Sequence, residues 1–148
     1  MTSNIERARP EDLPAVLALL EQHHLPIDGL ADHIATTLVA RDEGRIVGSA
    51  ALETYADGVL LRSVAVAPQV QHHGLGRELT VAALELASQL RAPAVYLLTI
   101  TAERYFPKFG FERIAREDVP QSVRASVEFQ SACPSSAVVM RRAGTSAP

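Results

Sequence analysis

The sequence has only one cysteine, Cys133, so no internal disulfide can form, a usage that fits the reducing cytoplasm. It lacks any apolar run near the ~20 residues that span a bilayer, and its polar start, MTSNIERARPED, is not that of a signal peptide. These absences lead us to expect a soluble, cytoplasmic protein with no membrane partner. A basic run is missing too; the formal net charge is −3, which argues against nucleic acid and for a small substrate. Two familiar phosphate signatures are incomplete. The third glycine of a dinucleotide fingerprint is absent and no ribose-binding acid follows an adjacent strand. A P-loop needs Gly-Lys-Ser/Thr, whereas Gly76 precedes Arg77-Glu78. What is present is 148 residues, 47% apolar and 21% charged, without repeats or low-complexity segments. That describes one globular domain, 1–148, able to bury a core without staples.

The chain is organised around Leu60 to Leu90. Leu60, Leu61, Val64, Ala65 and Val66 form a short run of strand formers that stops at Pro68. Gln71-His72-His73-Gly74-Leu75-Gly76 follows, and Leu75, Leu79, Ala82, Ala83, Leu86 and Leu90 then fall on one face of a helix. A helix opened in this way has several unpaired N–H groups and the positive end of its dipole at the loop. Glycines let an anion approach that backbone closely, so the loop predicts a phosphate site.

The pattern Gln-x-x-Gly-x-Gly between strand and helix resembles motif A of the Gcn5-related N-acetyltransferases (GNAT). Val64-Ala65-Val66-Ala67-Pro68 resembles the family's preceding strand, and Tyr105-Phe106-Pro107-Lys108-Phe109-Gly110-Phe111 its later signature, in the same order. The resemblance implies an α/β fold with a mixed sheet: antiparallel N-terminal strands, splayed central parallel strands and flanking helices. It implies acetyl-CoA as cosubstrate and no metal. The pyrophosphate would sit on Gln71, His72, His73, Gly74, Leu75, Gly76 and Arg77, and the pantetheine arm along Val64, Ala65 and Val66. Thr99, Ala102, Phe106 and Lys108 would complete the cofactor site. Dimers are common in the family, so a homodimer is compatible with the resemblance, although no residue here fixes an interface.

Taken in order, Asn4 to Ala8 predicts a strand, and Leu13, Val16, Leu17 and Leu20 a helix ending near His23-His24. Those two histidines are adjacent, so they project apart and predict a cleft rim or solvent position, not a metal pair. Pro26 to His33 predicts a turn with a short helix, which the resemblance places over the acceptor side. Leu38–Arg41 and Arg45–Glu53 predict strands joined by a hairpin at Asp42-Glu43-Gly44, and Asp57-Gly58 turns into the organising strand. Strands are also expected at Ala94–Thr99, from Ile114 towards Val119, and at Ala137–Arg141. Ala102–Lys108 predicts a short helix interrupted by Pro107, and Ala143 to Pro148 a frayed tail. The type of Pro120 to Gln130, a second expected acceptor segment, is left open.

Acetyl transfer needs a neutral amine, a polarised thioester carbonyl and a proton donor for the thiolate. Many family members carry a tyrosine five residues before the final Phe of the later signature; here that position is Phe106, and Tyr105 is offset by about 100° of helix. An asparagine often found twelve residues before the same Phe is replaced by Thr99, whose hydroxyl is the expected catalytic substitute. Glu53 is the candidate base, with a solvated strand end as its alternative. Tyr55 and Arg62 are candidates for orienting the acceptor, Arg62 through a bidentate oxyanion contact. His72 and His73 suit the pyrophosphate better than catalysis.

A narrower likeness covers most of the chain. Leu60 to Val66, Leu97-Leu98-Thr99-Ile100-Thr101-Ala102, Glu128-Phe129 and Cys133-Pro134-x-Ser136-Ala137 resemble the arsenic-resistance-associated ArsN branch. It implies acetylation of a small, amino-acid-like amine, including an organoarsenical one, with Phe at the tyrosine position as a branch trait. A lone Cys133 does not suit direct arsenic capture, which favours several thiolates. The alternative to an enzyme is an acyl-CoA-binding sensor module of the same fold.

Overall fold

A computed structural model describes residues 4–71, 73–126, 128–132 and 136–144. Asn4–Arg7 (β1) leads through a turn at Pro10–Asp12 into helix Leu13–Gln22 (α1), where Val16, Leu19 and Leu20 are buried. After a 3-10 segment at Leu30–Thr36, strands Thr37–Asp42 (β2) and Arg45–Tyr55 (β3) form a tight hairpin. Its two turn residues, Glu43 (φ 51°) and Gly44 (φ 78°), are both left-handed, as a primed turn matched to strand twist requires. Strand Gly58–Val66 (β4), helix Leu75–Gln89 (α2) and strand Ala94–Thr99 (β5) follow. The remainder is a 3-10 turn Phe106–Phe109, the short strand Glu112–Arg113 (β6), a four-residue helix Gln121–Arg124 (α3), a π-helical turn Glu128–Ala132 and strand Val138–Ala143 (β7).

The strands form one sheet in the order β1-β2-β3-β4-β5-β7-β6. All neighbours are antiparallel except β4 and β5, which the α2 crossover makes parallel. This is the expected mixed sheet. Alternation along the strands divides the core: Leu61 and Leu97 join α1 and α2 on one face, whereas Leu60 and Tyr96 pack with Val119 and Val123 on the other.

Two expectations are corrected. Ile114 to Val119 is not a strand: β6 ends at Arg113, and Arg116–Asp118 is a 3-10 turn whose segment covers the sheet with Val119. Its apolar residues are spaced to cap a face, not to alternate across one. The helix expected over Ala102–Lys108 shrinks to the 3-10 turn Phe106–Phe109, because Pro107 lacks the N–H that would continue it. His72, Cys133, Pro134 and the end of the expected tail lie outside the described residues.

Gly48 on β3 sets how closely α2 approaches. A Cβ there would meet Leu79 Cδ1 at 2.7 Å and Leu75 Cδ2 at 3.3 Å, and Leu79 is wholly buried. Gly48→Ala is therefore expected to lower stability by about 1–3 kcal/mol through overpacking. Urea unfolding checks this, and an unchanged midpoint would show that α2 has slack.

Candidate functional site

β4 and β5 pair only at Val59–Val95 and Leu60–Tyr96, although β4 continues to Val66 and β5 to Thr99. Beyond Leu60 the two strands separate. The β3–β4 register supplies a cause: Ser49 pairs with Ala65 but Ala51 with Arg62, so β4 carries one extra residue. Ser63 takes that irregularity with φ 62°, and its carbonyl accepts a hydrogen bond from Ser49 Oγ at 2.7 Å. A bulge of this kind bends its strand and re-aims the backbone.

The separation opens a cavity of about 420 Å³. Val64, Ala65 and Val66 form one side, Thr99, Ala102 and Phe106 another, and Gln71, Gly74, Leu75 and Gly76 the end where α2 begins. Gly74 caps that helix in a left-handed conformation (φ 81°). The amides of the first helical turn have no partner within the helix and so form an anion-binding end. Gln71 Nε2 donates to the Val66 carbonyl at 3.0 Å, tying the loop to the strand. A Cβ built on Gly76 would find no neighbour nearer than Val66 Cγ2 at 3.6 Å. The bare glycine therefore serves the open space, not the packing of the protein on itself.

Three of the expected cofactor residues are not in this wall. His73 and Arg77 are exposed at its margin. The Lys108 ammonium lies 4.0 Å over the Tyr105 ring, and its side chain lines a separate hollow with Val81 and Leu84 of α2. Tyr105 does stand in the wall, with its hydroxyl 3.9 Å from where a Gly76 Cβ would be, beside the first turn of α2. Thr99 lines the cavity, and its oxygen accepts a hydrogen bond from the Ala102 amide at 2.9 Å.

A second cavity, of about 520 Å³, shares the wall made by Arg62, Ser63 and Thr99 and extends to His23, His24, Pro26 and Glu128. The two histidines are thus rim residues of this hollow. Segments from 26 and from 128 meet here, from opposite ends of the chain.

Beneath that shared wall is an ion-pair knot. Glu53 is 1% exposed and lies in the wall of neither cavity, so the expected strand-end position, solvated or open to the cleft, is corrected. Its carboxylate accepts from the Tyr55 hydroxyl and, at 2.8 Å, from Arg62 Nη1; His33 Nε2 is 3.8 Å away. Arg62, 3% exposed, also donates to the carbonyls of Asp28 (2.6 Å) and Pro26 (2.8 Å) and lies 3.2 Å from Glu128 through Nε. One guanidinium thus joins β3, β4, the loop after α1 and the π-helical turn. Ser63 and Glu128 enter the sequence reading only inside stretches that carry a family likeness, with no role of their own: serine is not a residue expected at positive φ, and the type of the segment around Glu128 is not set by its apolar spacing.

Burial, and next the hydrogen bond to the Glu53 carboxylate, push the Tyr55 phenol well above its ordinary value. The unfolded chain then loses this proton first as pH rises, so the stabilisation is intact below about pH 10 and declines above it. Tyr55→Phe is expected to flatten the alkaline fall in unfolding free energy and to remove the most alkaline component of the 295-nm absorbance titration. A native phenol ionising at the ordinary value would contradict the geometry.

Comparison with known proteins gives four findings. The model of the "Acetyltransferase (GNAT) domain" family matches residues 33–113. The chain is 30% identical over 130 residues to an amino-acid acetyltransferase of Mycobacterium tuberculosis, covering 80% of this chain and 74% of that protein. It is 26% identical over 148 residues to an amino-acid acetyltransferase of Neisseria meningitidis, covering 94% of this chain but 34% of that one. Among solved structures, N-acetylglutamate synthase from Neisseria gonorrhoeae, complexed with coenzyme A and N-acetyl-glutamate, superimposes with a TM-score of 0.82 at 23% identity. That match covers 97% of this chain and 35% of the synthase. The chain therefore spans about a third of the length of these Neisseria proteins.

Proposed function

This chain belongs to the GNAT acetyltransferase family, and on that premise we propose that it transfers an acetyl group from acetyl-CoA to the amino group of a small, amino-acid-like acceptor. The observation that carries the reading is the wall common to the two cavities: a ligand along the β4–β5 gap and one entering past His23 and Pro26 would meet at Ser63 and Thr99. We propose that transfer takes place by direct attack in a ternary complex within one catalytic domain, 1–148.

The residues of the first cavity fit acetyl-CoA. The bare Gly76 and the first turn of α2 suit a diphosphate, and the edge of β4 turned away from β3 at Val64 and Val66, on either side of Ala65, suits an amide-bearing arm. Bound there, this cosubstrate supplies an activated acetyl thioester. The β4 amides next to the bulge are the donors available to polarise a carbonyl. Phe106 has no proton to give; the Tyr105 hydroxyl, beside Gly76, suits the diphosphate. Glu53, fixed by Arg62 and Tyr55, is a positioning residue in this reading, and Arg62 holds the acceptor loop through Pro26 and Asp28.

Support for an amino-acid-like acceptor comes from the amino-acid acetyltransferases among the relatives. An organoarsenical amino acid is the narrower candidate, resting on the ArsN likeness alone. A cytoplasmic setting and a homodimer complete the proposal. The alternative, an acyl-CoA sensor, is motivated by the phenylalanine at the acid position.

The test is thiol release from acetyl-CoA with the proteinogenic L-α-amino acids, simple alkylamines and an arsenical amino acid as acceptors. Acceptor-dependent release is expected; tight coenzyme A binding without release for any amine would establish the sensor instead. Gly76→Ala is expected to melt at or above the wild type, because alanine favours the helix. Its KM for acetyl-CoA is expected to rise about tenfold as the methyl crowds the diphosphate position. An unchanged KM would remove the diphosphate from that end of the cavity.

A further inference from the structure

Resting on the reading that the second cavity receives an amine, we propose that Glu128 is the residue that selects it: its carboxylate binds the acceptor's amino group as the ammonium beside Ser63, the form that gives up a proton before the nitrogen attacks the thioester. Glu128 is 4% exposed yet forms part of the cavity wall, and among the described wall residues it is the only acid. Its position is fixed from behind. Glu128 Oε2 lies 3.2 Å from Arg62 Nε, and the Arg62 side chain is itself wholly buried and next in sequence to the bulge. A carboxylate so held is one residue from the point where the two cavities join.

The other carboxylate of the knot does not compete for this role. Glu53 takes Nη1 of Arg62 and the Tyr55 hydroxyl, and it stands in neither wall. The division of one guanidinium between the two acids separates their tasks: Glu53 anchors Arg62 to β3, and Glu128 faces the ligand space. The other polar side chains described in the wall, His23, His24, Arg62, Ser63, Thr99 and Thr101, carry no negative charge, so although the hydroxyls can accept a hydrogen bond, an ammonium finds an opposite charge there at Glu128. Glu128 also begins a π-helical turn, an irregularity frequent at functional sites. A charge-paired hydrogen bond to an ammonium distinguishes an amino acid from its hydroxy-acid counterpart, which offers the same shape without the charge.

Initial rates are measured with the best acceptor from the L-α-amino acid panel, with its α-hydroxy acid as competitive inhibitor. In the wild type the hydroxy acid is expected to bind at least tenfold more weakly than the amino acid. Glu128→Gln is expected to raise the acceptor KM about 10- to 100-fold, the loss of one hydrogen bond to a charged group. It should leave the KM for acetyl-CoA within about twofold and erase the preference for amine over hydroxyl. Glu128→Asp, which keeps the charge, is expected to retain that preference with a smaller rise in acceptor KM, and it carries the test if the glutamine variant does not fold. An unchanged preference in Glu128→Gln, or equal rises in both KM values with loss of coenzyme A-induced stabilisation, would reduce Glu128 to a structural pin and overturn the inference alone. A wild-type protein that acetylates no amine overturns the transferase reading with it.

Discussion

The parting of β4 from β5 is the constraint on which the rest of this structure depends. Two register pairs, Val59–Val95 and Leu60–Tyr96, hold the strands parallel, and then the extra residue at Ser63 turns β4 away. In a closed sheet the amides of Val64 and Val66, which alternate with those turned to β3, would be spent on a neighbour. Here an edge is left inside the molecule, where unpaired backbone groups are costly unless a ligand or water meets them. The site is therefore built from what the sheet fails to do at its centre, while its outer strands remain conventionally paired.

Helix α2 makes the gap specific. Gly48 lets the helix come down onto β3, and Gly74 and Gly76 leave its first turn open towards the gap. The start of α2 and the strand edge thus lie in one cavity, and among the described residues no cationic side chain lines it at the helix end; Lys108 lies over the ring of Tyr105 instead.

Arg62 does for the second cavity what α2 does for the first. A buried ion pair adds little to stability after its desolvation cost, and replacing one by apolar residues is often neutral. The value of this one lies in geometry. Its guanidinium ties carbonyls at 26 and 28 to carboxylates at 53 and 128, so two segments without regular structure are fixed over a common hollow. Removing any one partner would leave charge or carbonyl oxygens buried without compensation.

Much of this was legible in the residues. Periodicity marks α2 and the strands because burial on one face imposes it, and Asp42-Glu43-Gly44 marks the hairpin because its glycine accepts positive φ readily. The glycine loop is equally local: strand, turn and helix start are consecutive. Ser63 left no trace, since its strain is imposed by register with β3. Glu53 was expected at an accessible strand end because sequence carries no sign of the arginine nine residues later folding back over it. Ile114 to Val119 passed for a strand because a segment that caps a sheet is as apolar as one within it. By itself, then, the sequence determined most of the elements and the glycine loop before α2, whose physics is short-range. Only the tertiary structure decided the gap, the knot and the second cavity, because each depends on pairings between residues far apart in the chain that no local pattern encodes.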